Sequence, residues 1–359
     1  MQLLCNRYLI LIDSEVLTMK IARLHEPLKM QVEEFEKPSI GPDEVLVKVV
    51  ACGVCGTDVE AYLGKVPRGW TITYPFRMGH EVAGTVVEVG KNVKNVKLDD
   101  QVVPDGRLTC GYCYYCRRGM FSACENQGYF SGGLAQYSNY PYQNLTKIPN
   151  GVSLEEAAFA EPLACVINGQ SKLEVSFGAV AVVIGDGPIG LLHLQLLRHR
   201  GAFTVMVGLL EHRLALAKEL GANVVIDAGR EDVEQIVRAV SAGRGADIVV
   251  NAVGKVLVLE QAINMAARRG QVLYFAATLA PRVELDLDLI HYKELRLIGS
   301  YDSIVAQYEQ ALALINAGII KVKPLISHRL PLEEVQAGYE IARKQEGVKV
   351  LIVHEGEDQ

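Results

Sequence analysis

The stretch AVAVVIGDGPIG, from Ala179 to Gly190, decides the fold of this chain. Its first six residues are apolar and mostly β-branched, which indicates a buried strand, and the run that follows has the form GxGxxG. Pro188 stands where the first helical residue is expected, and the apolar spacing after it gives a helix one buried face. A GxGxxG motif between a buried strand and a helix is typical of a dinucleotide site, with the pyrophosphate at the helix N-terminus.

The segment around this motif, from about 178 to 300, alternates strand-like and helical patterns. Gly201 and Gly221 stand where the first two helices would end. The strand-like runs are AVAVVI, FTVMV, NVVIDA, DIVVNAV, QVLYFA and LRLIG. Six strands with intervening helices predict a doubly wound parallel sheet of the Rossmann type. From 44 to about 104 the chain has Val-rich β patterns instead, which predicts a separate β-rich unit.

The end of the second predicted strand is where such a site usually carries a carboxylate for the ribose 2′-hydroxyl of NAD. Here the strand ends at Gly208, and the next carboxylate is that of Glu211. Without an acidic side chain there is less repulsion against the 2′-phosphate of NADP, and His212 or Arg213 could meet such a phosphate. The sequence therefore leaves both NAD and NADP open as cofactors.

Four cysteines form a second pattern, in CGYCYYCRRGMFSAC. Cys110, Cys113, Cys116 and Cys124 have the spacing C-x2-C-x2-C-x7-C, which suits a loop folded around one tetrahedral zinc ion. An iron–sulfur cluster usually needs a tighter last interval followed by proline, but Glu125 stands there. Free thiols or disulfides are the alternative, although clustered spacing in a chain without a signal peptide favours metal. A closed four-thiolate site is structural.

A mixed set of ligand types lies on either side of the cysteine cluster. Cys55 is in ACGVCGTD, His80 and Glu81 follow in GHE, and Glu161 precedes the nucleotide-binding segment in FAEPLAC. A thiolate, an imidazole and a carboxylate form an incomplete set, which leaves a zinc position open for water or substrate. Each residue alone could be a core or surface residue, but together they predict a catalytic zinc site.

Length and composition exclude several classes of protein. With 359 residues the chain predicts two domains, and its net charge of −6 without a basic run argues against nucleic-acid binding, including by a zinc ribbon. No apolar stretch is long enough to span a membrane. Asp13 and Glu15 interrupt the apolar start, so no signal peptide is predicted, and Met19 opens the first predicted strand. Without a disulfide framework, the cytoplasm is the expected compartment.

Taken together, these motifs resemble the zinc-containing medium-chain alcohol/polyol dehydrogenases. The resemblance runs from about 19 to 355 and includes GHEVAGTVVEVGKNV, the four-cysteine lobe, EPLAC and GDGPIG. It implies an α/β protein with a GroES-like, β-rich catalytic domain and a Rossmann domain with a doubly wound parallel sheet. The predicted boundaries are 1–18 for an extension or upstream start, 19–165 with 301–359 for the catalytic domain, about 105–125 for its structural zinc lobe, and 166–300 for the Rossmann domain.

The resemblance also implies roles for single residues and two zinc ions per subunit. Cys55, His80 and either Glu81 or Glu161 would hold the catalytic zinc. Thr57 would pass on the substrate proton, and Asp58 would support the metal site. The cofactor would contact Gly185, Asp186, Gly187, Pro188, Ile189, Gly190, Gly208, Arg213, Val253, Phe275, Ala276, Gly299, Ser300 and Tyr301.

Two positions depart from the family pattern. Many members have a histidine three residues after Thr57 to complete a proton relay, whereas this chain has Glu60. Polyol dehydrogenases usually have a basic residue after the aromatic at position 301, whereas this chain has Asp302. We expect that carboxylate to accept hydrogen bonds from substrate hydroxyls and to repel an acidic substrate.

The predicted activity is hydride transfer between a secondary alcohol and NAD or NADP. A neutral polyol, cyclitol or sugar is favoured, and a threonine-type amino alcohol or a simple secondary alcohol is the alternative. A catalytically silent dinucleotide-binding sensor would be expected to lack the zinc ligands, which are present here. The expected partners are a small-molecule substrate and further copies of the chain, as a homodimer or homotetramer, with neither nucleic acid nor membrane.

Overall fold

A computed structural model of the protein describes residues 18–66, 71–277 and 282–354. The predicted extension 1–18 lies outside the described residues apart from Thr18. Thr18 is the first residue of the first strand, one position before the predicted start at Met19. In the described ranges no helix is long and apolar enough to cross a membrane.

The first part of the chain is mainly β-structure, as the Val-rich patterns predict. Its elements in chain order are β1 (Thr18–Glu26), β2 (Lys29–Glu36), β3 (Glu44–Gly53), α1 (Gly56–Tyr62), β4 (Phe76–Arg77), β5 (Glu81–Val89), β6 (Gln101–Pro104), β7 (Arg107–Leu108), β8 (Gly128–Tyr129), β9 (Tyr137–Pro141), β10 (Leu145–Lys147) and α2 (Leu154–Ala157).

The middle part alternates helices and strands. Its elements are α3 (Ala160–Ser171), β11 (Val180–Ile184), α4 (Pro188–His199), β12 (Phe203–Gly208), α5 (Glu211–Glu219), β13 (Val224–Asp227), α6 (Val233–Val240), β14 (Ala246–Asn251), α7 (Val256–Met265), β15 (Ala266–Tyr274), α8 (Leu287–Tyr292) and β16 (Arg296–Gly299). The six strands form one parallel sheet in the order β13-β12-β11-β14-β15-β16. This is the doubly wound Rossmann order, and the predicted fold class is confirmed.

The last part of the chain returns to the first. Its elements are α9 (Val305–Asn316), β17 (Ile326–Pro331), α10 (Val335–Lys344) and β18 (Lys349–Val353). β18 pairs antiparallel with β3, so the larger β-sheet has the order β10-β6-β5-β3-β18-β17, with β9 also on β3. The final strand therefore lies beside the strand that leads to Cys55. The domain boundaries themselves stay a prediction.

Sequence signals place the nucleotide-binding edge of the parallel sheet. Every residue of β11 is buried, and α4 begins at Pro188 directly after the glycine turn. Gly201 and Gly221 follow α4 and α5 with φ of +88° and +98°, which favours glycine. β11 lies between β12 and β14, so the chain runs outward in both directions from it. The crevice at the carboxyl ends of these strands is where open α/β sheets bind ligands.

Candidate metal and cofactor sites

The four-cysteine lobe brings its ligands together over a short loop. The Sγ atoms of the four cysteines lie within 4.8 Å of one another, and those of Cys110 and Cys124 are 3.6 Å apart. Tetrahedral zinc with Zn–S bonds of ~2.3 Å holds its sulfurs roughly 3.8 Å apart, so the spacing fits this ion. All cysteines in the described residues are free thiols rather than disulfides.

Backbone amides in the lobe stabilise thiolate over thiol. The Cys110 amide donates to Cys124 Sγ at 3.3 Å, and the Cys116 amide donates to Cys113 Sγ at 3.4 Å. Partial burial opposes ionisation, but hydrogen bonds from the Tyr112 and Cys113 amides lower the pKa of Cys110 to about 6. Hydrogen bonds from backbone amides also lower the pKa of Cys113, whereas burial raises the pKa of Cys116. Thiolates are the form that binds zinc, so the amides prepare Cys110 and Cys113 for the metal.

Aromatic side chains flank the lobe in two different ways. Tyr115 packs against the cysteines, whereas Tyr112 and Tyr114 are 70% and 57% exposed. The Arg118 guanidinium lies 3.7 Å from the centroid of the Tyr114 ring. One tyrosine therefore covers the sulfurs, and the other two present apolar surface to solvent.

The second ligand group forms where β3 ends and β5 begins. Cys55 precedes α1, and His80 and Glu81 stand at the start of β5, whose Glu81 pairs with Gly53 of β3. The ligand atoms of Cys55, His80 and Glu81 lie within 4.8 Å of one another. A Cβ at Gly53 would collide with the Glu81 carboxylate, so glycine is needed where the two strands cross the site.

A buried lysine completes this group, and the sequence analysis missed it. Lys349, the first residue of β18, forms an ion pair with Glu81 and donates to the Val54 carbonyl at 3.1 Å. The exposed fractions of Lys349 and Glu81 are 3% and 1%. Burial opposes the charged form, but Glu81 and Cys55 raise the pKa of Lys349, which keeps it cationic. The Glu81 charge is thus balanced before any metal binds.

Asp58 and Thr57 lie around the group as the resemblance implies. Asp58 Oδ2 is 3.4 Å from His80 Nδ1, which leaves Nε2 as the ring nitrogen for a metal. Burial lowers the pKa of His80, but Asp58 and Cys55 outweigh it and raise that pKa well above its usual range. The exposed Thr57 hydroxyl donates to Cys55 Sγ at 3.2 Å. Glu60 keeps Oε2 buried, with no hydrogen bond to it from the residues that the structure describes.

Glu161 faces the same region from α3 but lies outside the close ligand group. Among the described residues, only Cys55, His80 and Glu81 meet the 4.8 Å spacing there. Burial is the main reason why the pKa of Glu161 is raised to about 7. The charge of His80 lowers this pKa, and the charge of Glu81 raises it. Cys165 Sγ, one helical turn later, lies 3.7 Å from Glu161 Oε1. Whether Glu81 or Glu161 is the resting zinc ligand stays a prediction.

The glycine motif forms a close turn at the carboxyl end of β11. Gly185 has φ +116°, and a Cβ at Gly190 would overlap the Gly185 carbonyl oxygen. Val253 lies against this turn, because a Cβ at Gly185 would be 2.7 Å from Val253 Cγ2. Such a turn lets a pyrophosphate approach the backbone at the α4 N-terminus, so the residues fit a dinucleotide.

The remaining predicted cofactor residues lie at neighbouring strand ends. The amides of Phe275 and Ala276 both donate to the Asn251 carbonyl at 3.1 Å, which draws the ends of β14 and β15 together. After β16, Ser300 Oγ accepts from Lys172 Nζ at 2.9 Å. Gly299, Ser300 and Tyr301 therefore continue the same edge of the sheet. Their contacts with a cofactor stay a prediction.

The expectation for Asp302 needs correction, because protein donors already hold its carboxylate. Asp302 Oδ2 accepts from Tyr129 at 2.7 Å and Gln127 at 3.1 Å, and it lies 3.2 Å from Arg107 Nη1. Arg107 is also paired with buried Asp105 at 2.8 Å. The carboxylate therefore ties β7 and β8 to the end of β16, and its charge is offset by Arg107. It is not a free acceptor for substrate hydroxyls.

Comparisons with known proteins agree with this arrangement. Residues 41–150 match the alcohol dehydrogenase GroES-like domain, and residues 188–317 match the zinc-binding dehydrogenase domain. A sorbitol dehydrogenase of Halalkalibacterium halodurans is 32% identical over 89% of this chain and 94% of its own. An L-threonine 3-dehydrogenase of Bacillus velezensis is 32% identical over 90% of this chain and 94% of its own. A zinc-binding dehydrogenase of Sinorhizobium meliloti, solved with NADP, is 31% identical with a TM-score of 0.87, over 94% and 99%.

Proposed function

This chain belongs to the zinc-binding alcohol dehydrogenase family, as a zinc-dependent oxidoreductase, and we propose that it oxidises a secondary hydroxyl of a polyol, cyclitol or sugar. The observation that carries the proposal is the convergence of Cys55, His80 and Glu81 within 4.8 Å, with the carboxyl of Glu161 facing the same region. Three protein ligands leave a coordination position for the substrate oxygen.

The protein residues have distinct tasks in this proposal. Bound zinc would polarise the substrate oxygen as a Lewis acid, and the nicotinamide would take the hydride. Asp58 orients His80 through Nδ1, and Lys349 balances the charge of Glu81. The exposed Thr57 hydroxyl takes the proton from the alcohol and passes it outward. Glu60, three residues later, stands where many family members have the histidine that completes the relay, and its carboxyl would receive the proton.

Glu161 supports the polyol class over other alcohols. The carboxyl of Glu161 lies close enough to His80 and Glu81 to interact with their charges, and a carboxyl there can form a hydrogen bond with a substrate hydroxyl. A polyol has a second hydroxyl beside the reacting one, whereas a simple secondary alcohol has none. The Glu161→Gln variant should therefore raise KM for a polyol more than KM for a simple secondary alcohol.

A threonine-type amino alcohol is the second candidate, because the threonine and sorbitol dehydrogenase relatives are equally identical to this chain. Initial rates of nicotinamide reduction, with zinc-loaded protein and NAD or NADP, should be compared for polyols, cyclitols, sugars, threonine and secondary alcohols. We expect the highest kcat/KM with a polyol, cyclitol or sugar. Faster turnover of threonine would favour the second candidate, and no turnover by protein that binds zinc and cofactor would favour the silent sensor.

We also propose a cytoplasmic homodimer or homotetramer. β16 is the edge strand of the parallel sheet, and Leu297 on this strand and Leu287 and Tyr292 on α8 are 42%, 73% and 68% exposed. An apolar edge strand is suited to pairing with a second copy. Light scattering should give a mass of two or four chains, and Leu297→Lys should reduce it. The unpaired cysteines favour a reducing compartment, which fractionation would test.

A further inference from the structure

The side chain of Asp186, inside the glycine motif, lies over the end of β12. A Cβ built on Gly208 would be only 2.5–2.7 Å from Asp186 Oδ2, Cβ and Cγ. Position 208 is where a dinucleotide site usually carries its ribose-binding carboxylate. Gly208 does not have a positive φ, so its backbone would tolerate a side chain. Asp186 therefore occupies the space that an acidic residue at 208 would fill.

The Asp186 carboxylate also uses the backbone donors that follow β12. Its Oδ2 accepts hydrogen bonds from the amides of Leu209 and Leu210, both at 2.9 Å. Leu210 immediately precedes α5, so these amides are at the positive end of the helix dipole. An anion such as a 2′-phosphate would need donors of this kind, and here they already hold a carboxylate.

Arg213 is placed against Asp186 rather than toward solvent. It is 6% exposed, its Nη2 donates to the Gly347 and Gln345 carbonyls, and its Nη1 is 3.9 Å from Asp186 Oδ1. Asp186 is the carboxylate near this guanidinium, and part of the donor capacity of Arg213 connects α5 to the loop before β18. Arg213 is therefore not a free cation for a 2′-phosphate, which is the role that the sequence alone suggested.

We propose that Asp186 supplies the ribose-binding carboxylate that position 208 lacks and makes this site select NAD over NADP. Asp186 Oδ1 lies 3.9 Å from Arg213 Nη1, beyond hydrogen-bond distance, so this oxygen accepts a hydrogen bond from the adenosine 2′-hydroxyl and the carboxylate repels a phosphate at that position. The inference rests on the proposed dinucleotide-dependent function and adds the cofactor preference. It reverses the expectation that Gly208 opens the site to NADP.

The test is calorimetric titration of the zinc-loaded full chain with ADP-ribose and with 2′-phospho-ADP-ribose. We expect ADP-ribose to bind at least about tenfold more tightly, because like charges juxtaposed in an interface cost more than the ~1.4 kcal/mol of one decade. In Asp186→Asn the carbonyl can still accept from both amides, but the charge is lost. That variant should reduce the preference by about tenfold or more.

Two further variants make the test specific. Asp247→Asn is the matched control, because Asp247 accepts from the Val180 amide at 2.8 Å at the amino-terminal ends of β14 and β11, away from the glycine turn. It should leave the preference unchanged. Gly208→Asp alone should weaken ADP-ribose binding through the clash with Asp186, and Gly208→Asp with Asp186→Gly should restore both binding and preference.

The outcomes separate this inference from the proposed function. Equal binding of both ligands by the unmodified chain, or an unchanged preference in Asp186→Asn, would overturn the role of Asp186 and leave the oxidoreductase proposal intact. Binding of neither ligand would overturn both. Since the ligands lack the nicotinamide, the readout does not depend on turnover or on the catalytic zinc.

Discussion

The two groups of metal-binding side chains differ in how the chain assembles them. The four cysteines of the lobe come from one loop between 110 and 124, and backbone amides of that loop donate to their sulfurs. The Cys55 group takes its parts from the end of β3, the start of β5 and the start of β18. Lys349 and the Val54 carbonyl that it contacts are 295 positions apart in the sequence.

This difference has a chemical counterpart. Four thiolates saturate a tetrahedral ion and leave nothing for a substrate, whereas three mixed ligands leave a position open. In the lobe, backbone amides of the same loop donate to the cysteine sulfurs. The Cys55 group needs a cation from a distant strand, because the carboxylate of Glu81 is buried. A closed local site suits structure, and an open site supported by the whole fold suits catalysis.

The largest expected effect separates the two groups by activity. Cys55→Ala should lower kcat/KM at least about ten-thousandfold, more than 5 kcal/mol, because a Lewis acid contributes several kcal/mol and the variant loses its anchor. Metal analysis should show one zinc lost and the lobe zinc retained. Cys52→Ala is the matched control, since Cys52 is buried three residues earlier outside the ligand group, and it should keep both ions. Retained turnover in Cys55→Ala would refute the assignment.

A second variant tests whether the catalytic group depends on a distant cation. Lys349→Met leaves Glu81 buried and unpaired, which should lower the free energy of unfolding of zinc-depleted protein by about 3–5 kcal/mol. Denaturant titration measures it, and Lys349→Met with Glu81→Gln should recover most of the loss. The control is Lys344→Met, because Lys344 is half-exposed and its pair with Glu346 spans 3.9 Å. If Lys349→Met and Lys344→Met lowered the unfolding free energy equally, Glu81 would not depend on the charge of Lys349.

Removal of metal should distinguish an open site from a closed one. On dialysis against a chelator, we expect the first zinc ion to leave together with activity and with little change in melting temperature. The second should leave more slowly and bring increased proteolysis between 105 and 125, because structural zinc contributes directly to local folding. In Cys113→Ser the slow phase should be absent. Simultaneous release of both ions would show that the two sites are not independent.

The smallest expected effect is the pH dependence that Glu161 contributes at the catalytic group. Burial raises the pKa of Glu161 from 4.5 to about 7, so in that range the folded chain binds more protons there than the unfolded chain. The contribution of Glu161 to the unfolding free energy of zinc-depleted protein should therefore fall as pH rises from 4.5 to 7, by at most about 1.4 kcal/mol per pH unit, and then level off. Glu161→Gln should flatten this slope. An identical slope in the variant would assign the protons elsewhere.

The same contrast between local and distant parts decides what could be predicted from the sequence. The cysteine lobe, the glycine turn and the six parallel strands depend on signals within a few residues, and the fold that they predict is observed. Lys349 was missed because nothing near it in sequence marks a partner for Glu81. Its only signal was position: it opens the closing strand, and a buried carboxylate needs a cation.

Misjudged side chains have the same explanation. Asp302 follows the strand end as predicted, but its partners Arg107 and Tyr129 come from β7 and β8. Gly208 has no carboxylate of its own, but one from the preceding turn lies over it. In each case the position along the chain is predictable from the sequence, but only the packing shows which neighbours use the hydrogen-bonding groups there.

The position of Lys349 on the last strand has a consequence for how the protein is made. A ribosome adds about 5–20 residues per second, so the lobe cysteines emerge roughly 10 to 45 s before Lys349, which follows Cys124 by 225 positions (349 − 124). A nascent chain can thus acquire its structural zinc while Glu81 still lacks its cation. A polypeptide truncated before β18 would hold the zinc of the cysteine lobe but would lack Lys349 beside Glu81. The final strand therefore couples catalytic competence to complete translation.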